Sequence, residues 1–176
     1  MRRFLLTFGS LLAMTTSAAG QTDATENLLY LELDDGMVVI ELLPEVAPQH
    51  VERVSTLADQ GFYDGIIFHR VIDGFMAQTG DPTGTGRGGS DLPDLPAEFS
   101  DEPFLRGTLG MARTQNPNSA NSQFFITFGQ AEWLNGQYTV WGRVVDGMEH
   151  VDAIERGEPP RNPDRIVSMR TAEAVQ

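Results

Sequence analysis

Residues 65 to 81 read GIIFHRVIDGFMAQTGD, and this stretch decides the fold class. Two runs of β-forming residues, Ile66 to Ile72 and Phe75 to Thr79, are joined by Asp73 and Gly74, a pair that favours a two-residue hairpin turn. The spacing predicts a β-hairpin. Side chains alternate across a strand, so Ile67, His69 and Val71 are expected on one face and Phe68, Arg70 and Ile72 on the other. Arg70 then lies among apolar neighbours, where a permanently charged guanidinium requires acceptors. Gln78 on the partner strand supplies one. On the hairpin alone, a structural ion-pair role for Arg70 and a functional one both stay open.

Toward the N-terminus, Leu28 to Leu33 and Met37 to Leu42 flank Asp34, Asp35 and Gly36, a second hairpin signal. A helix follows. Pro48 suits a first helical position, Val51, Val54, Leu57 and Ala58 share one face, and Gly61 is placed to end the helix in the left-handed conformation. His50 is read as an exposed residue of this helix, His150 as another on the second helix, and His69 as structural. Three histidines so far apart give no metal-site spacing.

Toward the C-terminus, residues 80 to 95 are dense in Gly, Pro and Asp. Gly84, Gly86 and Gly89 match a GxGxxG spacing, but Pro93 and Pro96 interrupt the segment and no helix-forming run follows, so the stretch reads as a turn-rich loop with close backbone packing. The acidic residues Asp91, Asp94, Glu98, Asp101 and Glu102 lack calcium-loop spacing and are read as a solvated face. Thr108 to Arg113, Gln123 to Thr127, Tyr138 to Val145 and Ile166 to Thr171 are expected strands. A second helix is expected from Gly147 to Arg156, with Asp146 as its cap, Glu149 completing a capping-box pattern and Gly157 ending it. Short strands outnumber helices, which points to an antiparallel barrel or sandwich.

Composition narrows the chemistry. The chain of 176 residues contains no Cys, which removes disulfides, thiol nucleophiles and cysteine metal sites. It also lacks Lys, which excludes a Walker-type phosphate lysine and Schiff-base chemistry. Arg2 and Arg3, an apolar run from Phe4 to Met14 and the small residues Ser17 to Gly20 have the layout of a secretory signal peptide over residues 1–20. Residues 21–27 are expected to form a flexible tail, and 28–176 a single domain. Loss of the leader takes the formal charge from −13 to −15, which disfavours nucleic acid and anionic membranes as partners. An exported, periplasmic, monomeric protein without membrane insertion is expected.

Five segments in order, FHRVIDGFMAQTGD, GTLGMART, NSQFFIT, EWLNG and YTVWGRVVDGM, resemble the cyclophilins, a family of peptidyl-prolyl cis-trans isomerases. The resemblance spans Leu28 to about Thr171. It implies a mainly β fold, a closed antiparallel eight-stranded β-barrel capped by two α-helices. It also implies roles: Arg70 as the catalytic arginine, Gln78 as the residue that holds it, and Phe75, Met76, Phe125 and Leu134 as walls of a proline pocket. Ala112, Arg113 and Gln123 correspond to the groove that grips the peptide backbone, Arg113 mainly through its own backbone, and Trp133 to a rim residue. Tyr138 stands where many members have His, and Arg113 where many have Asn. Weak cyclosporin binding is therefore expected. No cofactor or metal is implied, and the expected partners are unfolded or flexible proline-containing chains. A rival reading is a proline-peptide binding module or holdase chaperone with little turnover, against which the retained Arg70 and Gln78 argue, since a proline ring needs only an apolar pocket.

Overall fold

The computed structural model describes residues 27–175. Alternation of buried and half-exposed residues writes the first hairpin: Leu29, Leu31 and Leu33 of β1 (Leu28–Leu33) and Val38, Ile40 and Leu42 of β2 (Gly36–Leu42) all point into one core. The remaining elements are α1 (Pro48–Asp59), β3 (Arg70–Ile72), β4 (Met76–Thr79), β5 (Thr108–Met111), β6 (Phe124–Thr127), β7 (Val140–Asp146), α2 (Met148–Ala153) and β8 (Ile166–Thr171). The eight strands form one antiparallel sheet in the order β3-β4-β6-β5-β7-β2-β1-β8.

The sheet is curled rather than fully closed. Its edge strands, β3 and β8, are not joined by a ladder; isolated bridges pair Ile67 with Arg165 and Val71 with Gly157. The same seam corrects the expected hairpin, whose first strand is only three residues long. Ile66 and Phe68 are diverted to the far edge of the sheet: the Phe68 N–H donates to the Asp164 carbonyl at 2.9 Å, and the Ile166 N–H to the Ile66 carbonyl at 2.9 Å. Strict alternation is lost at His69. Phe68 and Val71 therefore both enter the main core, while Arg70 and Ile72 stay half-exposed on the opposite face.

The first helix follows its sequence pattern, with Val51, Val54, Leu57 and Ala58 buried and Gly61 at φ 72° beyond its end. Burying each large aliphatic side chain contributes roughly 1.5–3 kcal/mol, which fixes this helix against the sheet. His50 departs from expectation. Its side chain is fully buried, because Nδ1 lies 2.6 Å from the Glu98 carboxylate, which also accepts the N–H groups of Gln49 and His50. Glu98 is thus the partner of a helix start and not part of a solvated face.

The second helix is shorter than its pattern. Asp146 ends β7 instead of capping, Gly147 takes the N-cap position at φ 78°, and no side chain caps the helix. The close approach of Gly147 to the β2 backbone is the reason: a Cβ there would sit 2.1 Å from the Met37 carbonyl oxygen. The helix stops at Ala153, where Ile154 turns to an extended ψ of 130° and becomes buried, so Gly157 is free to bridge Val71. His150 is partly buried, with its ring against Gly36.

Candidate active site

On β4 and β6 the residues facing the main core are Ala77, Thr79, Phe124 and Ile126, so Met76, Gln78, Phe125 and Thr127 emerge on the sheet's other face. The ladder sets Arg70 opposite Gln78 and Gln78 opposite Phe125; one step along, Ile72 faces Met76. A second, smaller apolar cluster forms on this face from Met76, Phe104, Phe125, Ala131, Leu134 and Val140, with Phe75, Ala112 and Tyr138 against its open side. Phe125 stacks on Phe104 with centroids 5.6 Å apart and meets Tyr138 edge-on at 5.8 Å.

A cavity of about 320 Å³ opens above this cluster. Its lining brings together Arg70, Phe75, Met76, Gln78, Ala112, Arg113, Phe125, Trp133, Leu134 and Tyr138, residues that the sequence singles out. Gln123 is absent from that lining and borders an adjoining trough of about 440 Å³ that shares Gln78, Ala112 and Arg113. Leu134 is buried on a short 3-10 turn, Glu132–Leu134, whereas Trp133 projects from it 63% exposed and reaches Phe75 at 5.5 Å. The two together make one firm wall and one open rim.

A polar relay runs along the cavity's edge. Arg70 Nη1 donates to Gln78 Oε1 at 3.5 Å, Gln78 Nε2 to Gln123 Oε1 at 2.9 Å, and Gln123 Nε2 to the Gly88 carbonyl at 2.8 Å. Arg70 Nε lies 3.4 Å from Glu158 Oε2, while Nη2 has no partner among the described residues. Glu158 was not singled out by the sequence; nothing in GEPPRNPDR marks it, and only the bridge at Gly157 brings it here.

Arg113 is used differently. Its guanidinium donates to the Thr114 and Gln137 carbonyls at 2.8 and 2.7 Å and lies 4.4 Å above the Tyr138 ring. Its main-chain N–H and C=O make no hydrogen bond among the described residues, although Ala112 N–H and Thr114 N–H on either side are both bonded. The free main-chain pair can therefore accept an extended peptide.

Asp81 organises the loop that holds the relay's end. Its buried carboxylate accepts the Thr83 N–H and hydroxyl, both at 2.8 Å, the Gly86 N–H at 2.6 Å and the Arg87 N–H at 3.1 Å. Burial works to raise its pKa, but these hydrogen bonds prevail and hold it at about 2. Gly88 is needed there, since an added Cβ would fall 2.1 Å from Asp81 Oδ1. Beside Arg70, His69 is 6% exposed with neither ring nitrogen bonded, and burial lowers its pKa, so the ring is neutral at pH 7. Among the described residues no group of three or more His, Asp or Glu is placed to hold a metal ion.

Residues 28–171 match the family profile of cyclophilin type peptidyl-prolyl cis-trans isomerase. A probable peptidyl-prolyl cis-trans isomerase of Brucella suis is 50% identical over 94% of this chain and 93% of its own length. The human peptidyl-prolyl cis-trans isomerase-like 3 is 44% identical over 72% of this chain and 80% of its own. Among solved structures, the cyclophilin AquaCyp293 from Hirschia baltica superposes with a TM-score of 0.77 at 31% identity, covering 84% of this chain and 74% of that one. A Cryptosporidium parvum cyclophilin type isomerase, crystallised in the presence of the dipeptide Ala-Pro, gives 0.76 at 30% identity over 82% and 98%. Fold, sequence profile and relatives agree, and the chain belongs to the cyclophilin family of peptidyl-prolyl cis-trans isomerases.

Proposed function

We propose that the isomerisation runs at the Arg70 cavity, with Arg70 as hydrogen-bond donor to the prolyl nitrogen. Resonance between nitrogen and carbonyl gives a peptide bond a rotation barrier of about 18–20 kcal/mol. In the twisted amide that resonance is lost and the lone pair returns to nitrogen, which becomes a better acceptor. A donor fixed beside the ring stabilises this state more than the planar ones, which is differential binding. No proton leaves and no covalent intermediate forms. Shortening ~100 s to ~1 ms takes about 7 kcal/mol, a sum within reach of a charge-assisted bond combined with orientation.

Phe75, Met76, Phe125 and Leu134 hold the proline ring. Gln123 and the unpaired main chain of Arg113 grip the flanking peptide, so that one side rotates while the other is fixed. The observation that carries this reading is the unpartnered Nη2 of Arg70 at the rim of an apolar cavity. A protease-coupled assay on a proline tetrapeptide tests it. Arg70→Ala should lose about 100- to 1000-fold in kcat with little change in ground-state affinity, and Arg70→Lys should recover little, lacking the planar fork. A folded Arg70→Ala protein working at the wild-type rate would leave a binding module or holdase as the better account.

The substrates in this reading are unfolded or flexible proline-containing chains, met after export to the periplasm. Support for export is the basic, apolar and small-residue order of residues 1–20, which lie outside the described residues. Mass spectrometry of the processed protein should find an N-terminus near Gly20 or Gln21; intact Met1 in the cytoplasm would refute export. Cyclosporin binding is weak in the same reading, because Arg113 and Tyr138 are stacked together on the groove wall. Calorimetry on Tyr138→His should show tighter binding, and an unchanged affinity removes Tyr138 from the explanation.

A further inference from the structure

Arg70 has a cross-strand neighbour on each side. Gln78 stands opposite it in the β3–β4 ladder. On the other side Val71 and Gly157 exchange both main-chain hydrogen bonds, 2.8 Å in each direction, and this antiparallel bridge makes Glu158 the residue opposite Arg70. The outcome is symmetrical engagement of the guanidinium: Glu158 Oε2 is 3.4 Å from Nε, Gln78 Oε1 is 3.5 Å from Nη1, and Nη2 is left over.

We propose that Glu158 is a positioning residue for the isomerase, holding the Nε edge of Arg70 so that Nη2 is presented to the prolyl nitrogen. The inference rests on Arg70 being the donor. Both side chains are substantially exposed, 41% for Arg70 and 53% for Glu158, and an exposed ion pair contributes little to global stability. Its effect falls on orientation instead. A long arginine side chain with a single 3.5 Å contact samples several rotamers, and a donor misplaced by a fraction of its reach loses rate steeply. The carboxylate arrives on a stiff support. Gly157 has φ 152°, a Cβ on it would come 2.6 Å from Pro160 Cα, and Pro159 and Pro160 restrict the chain that follows. Bridge, glycine and prolines together fix the direction from which Glu158 approaches. A cavity of about 350 Å³ beyond Arg70 is bordered by Glu158, His69 and Gly86, so the carboxylate stands on the side away from the apolar walls. It can hold the guanidinium without occupying the proline site.

The test compares Glu158→Ala and Glu158→Gln with wild type and with Arg70→Ala, using peptide kinetics, thermal melting and the ¹⁵N signal of the Arg70 Nε–H. Glu158→Ala should lower kcat about 3- to 10-fold with KM within about twofold, leave Tm unchanged, and broaden the Nε–H signal through faster exchange. Glu158→Gln should recover part of the rate, because an amide oxygen still accepts. In ~1 M salt the wild-type rate should fall toward that of Glu158→Gln. If Arg70→Ala is slow while Glu158→Ala keeps wild-type kcat and an unaltered Nε–H signal, the positioning role is wrong and Arg70 remains the donor. A faster Glu158→Ala enzyme also overturns it, since the carboxylate would then be withholding the guanidinium. Arg70→Ala at the wild-type rate removes both readings together.

Discussion

Gly110 stands opposite Phe125 in the β5–β6 ladder, and its missing side chain is what allows Phe125 to lie flat on Phe104. A Cβ on Gly110 would approach the Phe125 ring to 2.5 Å and the Phe104 ring to 2.6 Å. Gly110→Ala should therefore displace the cavity's floor. Overpacking of this kind costs about 1–3 kcal/mol, readable as a lower denaturation midpoint, and KM for a proline peptide should rise several-fold. A variant with unchanged KM would show that the floor does not shape the proline site.

Phe125→Ala is the opposite perturbation. Phe125 is 5% exposed and serves both the small apolar cluster and the cavity wall. Truncation of a buried Phe costs about 3–5 kcal/mol, so stability should fall with peptide affinity and rate. Arg70→Ala should leave stability nearly intact. Melting curves set beside kcat/KM for the two variants separate wall from donor, and a Phe125→Ala protein of normal stability would contradict the cluster's structural role.

Activity should not follow histidine titration. Burial lowers the pKa of His69 below its ordinary value, so the group beside Arg70 is mainly uncharged at neutral pH and above. The predicted kcat/KM is flat between about pH 6.5 and 8 for wild type and for His69→Gln. A step in that window that vanishes in His69→Gln would show that a proton moves in the reaction.

Stability, by contrast, should fall with acid in two stages. Burial keeps the folded pKa of His50 below 6.5, so the unfolded chain takes up the proton first and stability declines as pH drops below that value. Asp81 has a folded pKa of about 2 against 3.8 unfolded; its contribution of about 2 kcal/mol is complete above roughly pH 4 and lost between roughly pH 4 and 2. Urea midpoints measured from about pH 8 to 2 should show the upper stage disappear in His50→Gln and the lower one shrink in Asp81→Asn, the remainder belonging to Asp64, Glu98 and Asp152, whose pKa values are also lowered. Parallel curves for all three proteins would refute the assignment.

Local turn chemistry was legible in the chain, whereas the cap expected at Asp146 was not, because that residue ends β7. The turn at Asp73 and Gly74, the helix between Pro48 and Gly61, and β8 at Ile166–Thr171 lie where their residues predict. What stayed hidden depends on partners distant in sequence. His50 is buried because a carboxylate 48 residues away meets it. β3 is short because Ile66 and Phe68 bond residues 164 to 166 instead of continuing the hairpin. Gln123 falls outside the apolar cavity because its amide is engaged by Gln78 and Gly88. Periodicity can assign a face to a residue but cannot say which remote segment will cover that face.

The bridge between Val71 and Gly157 also fixes when the site can exist. All the groove residues from Arg70 to Tyr138 precede Gly157 in the chain, yet the strand bearing Arg70 is an edge whose outer neighbour is that late segment, and the β1–β2 hairpin is flanked on its two sides by β8 and β7. Such non-local pairing must wait for the chain that supplies it. During ribosomal synthesis, the nascent protein therefore carries its groove residues before it can fold, and the groove can assemble only after β8 has emerged.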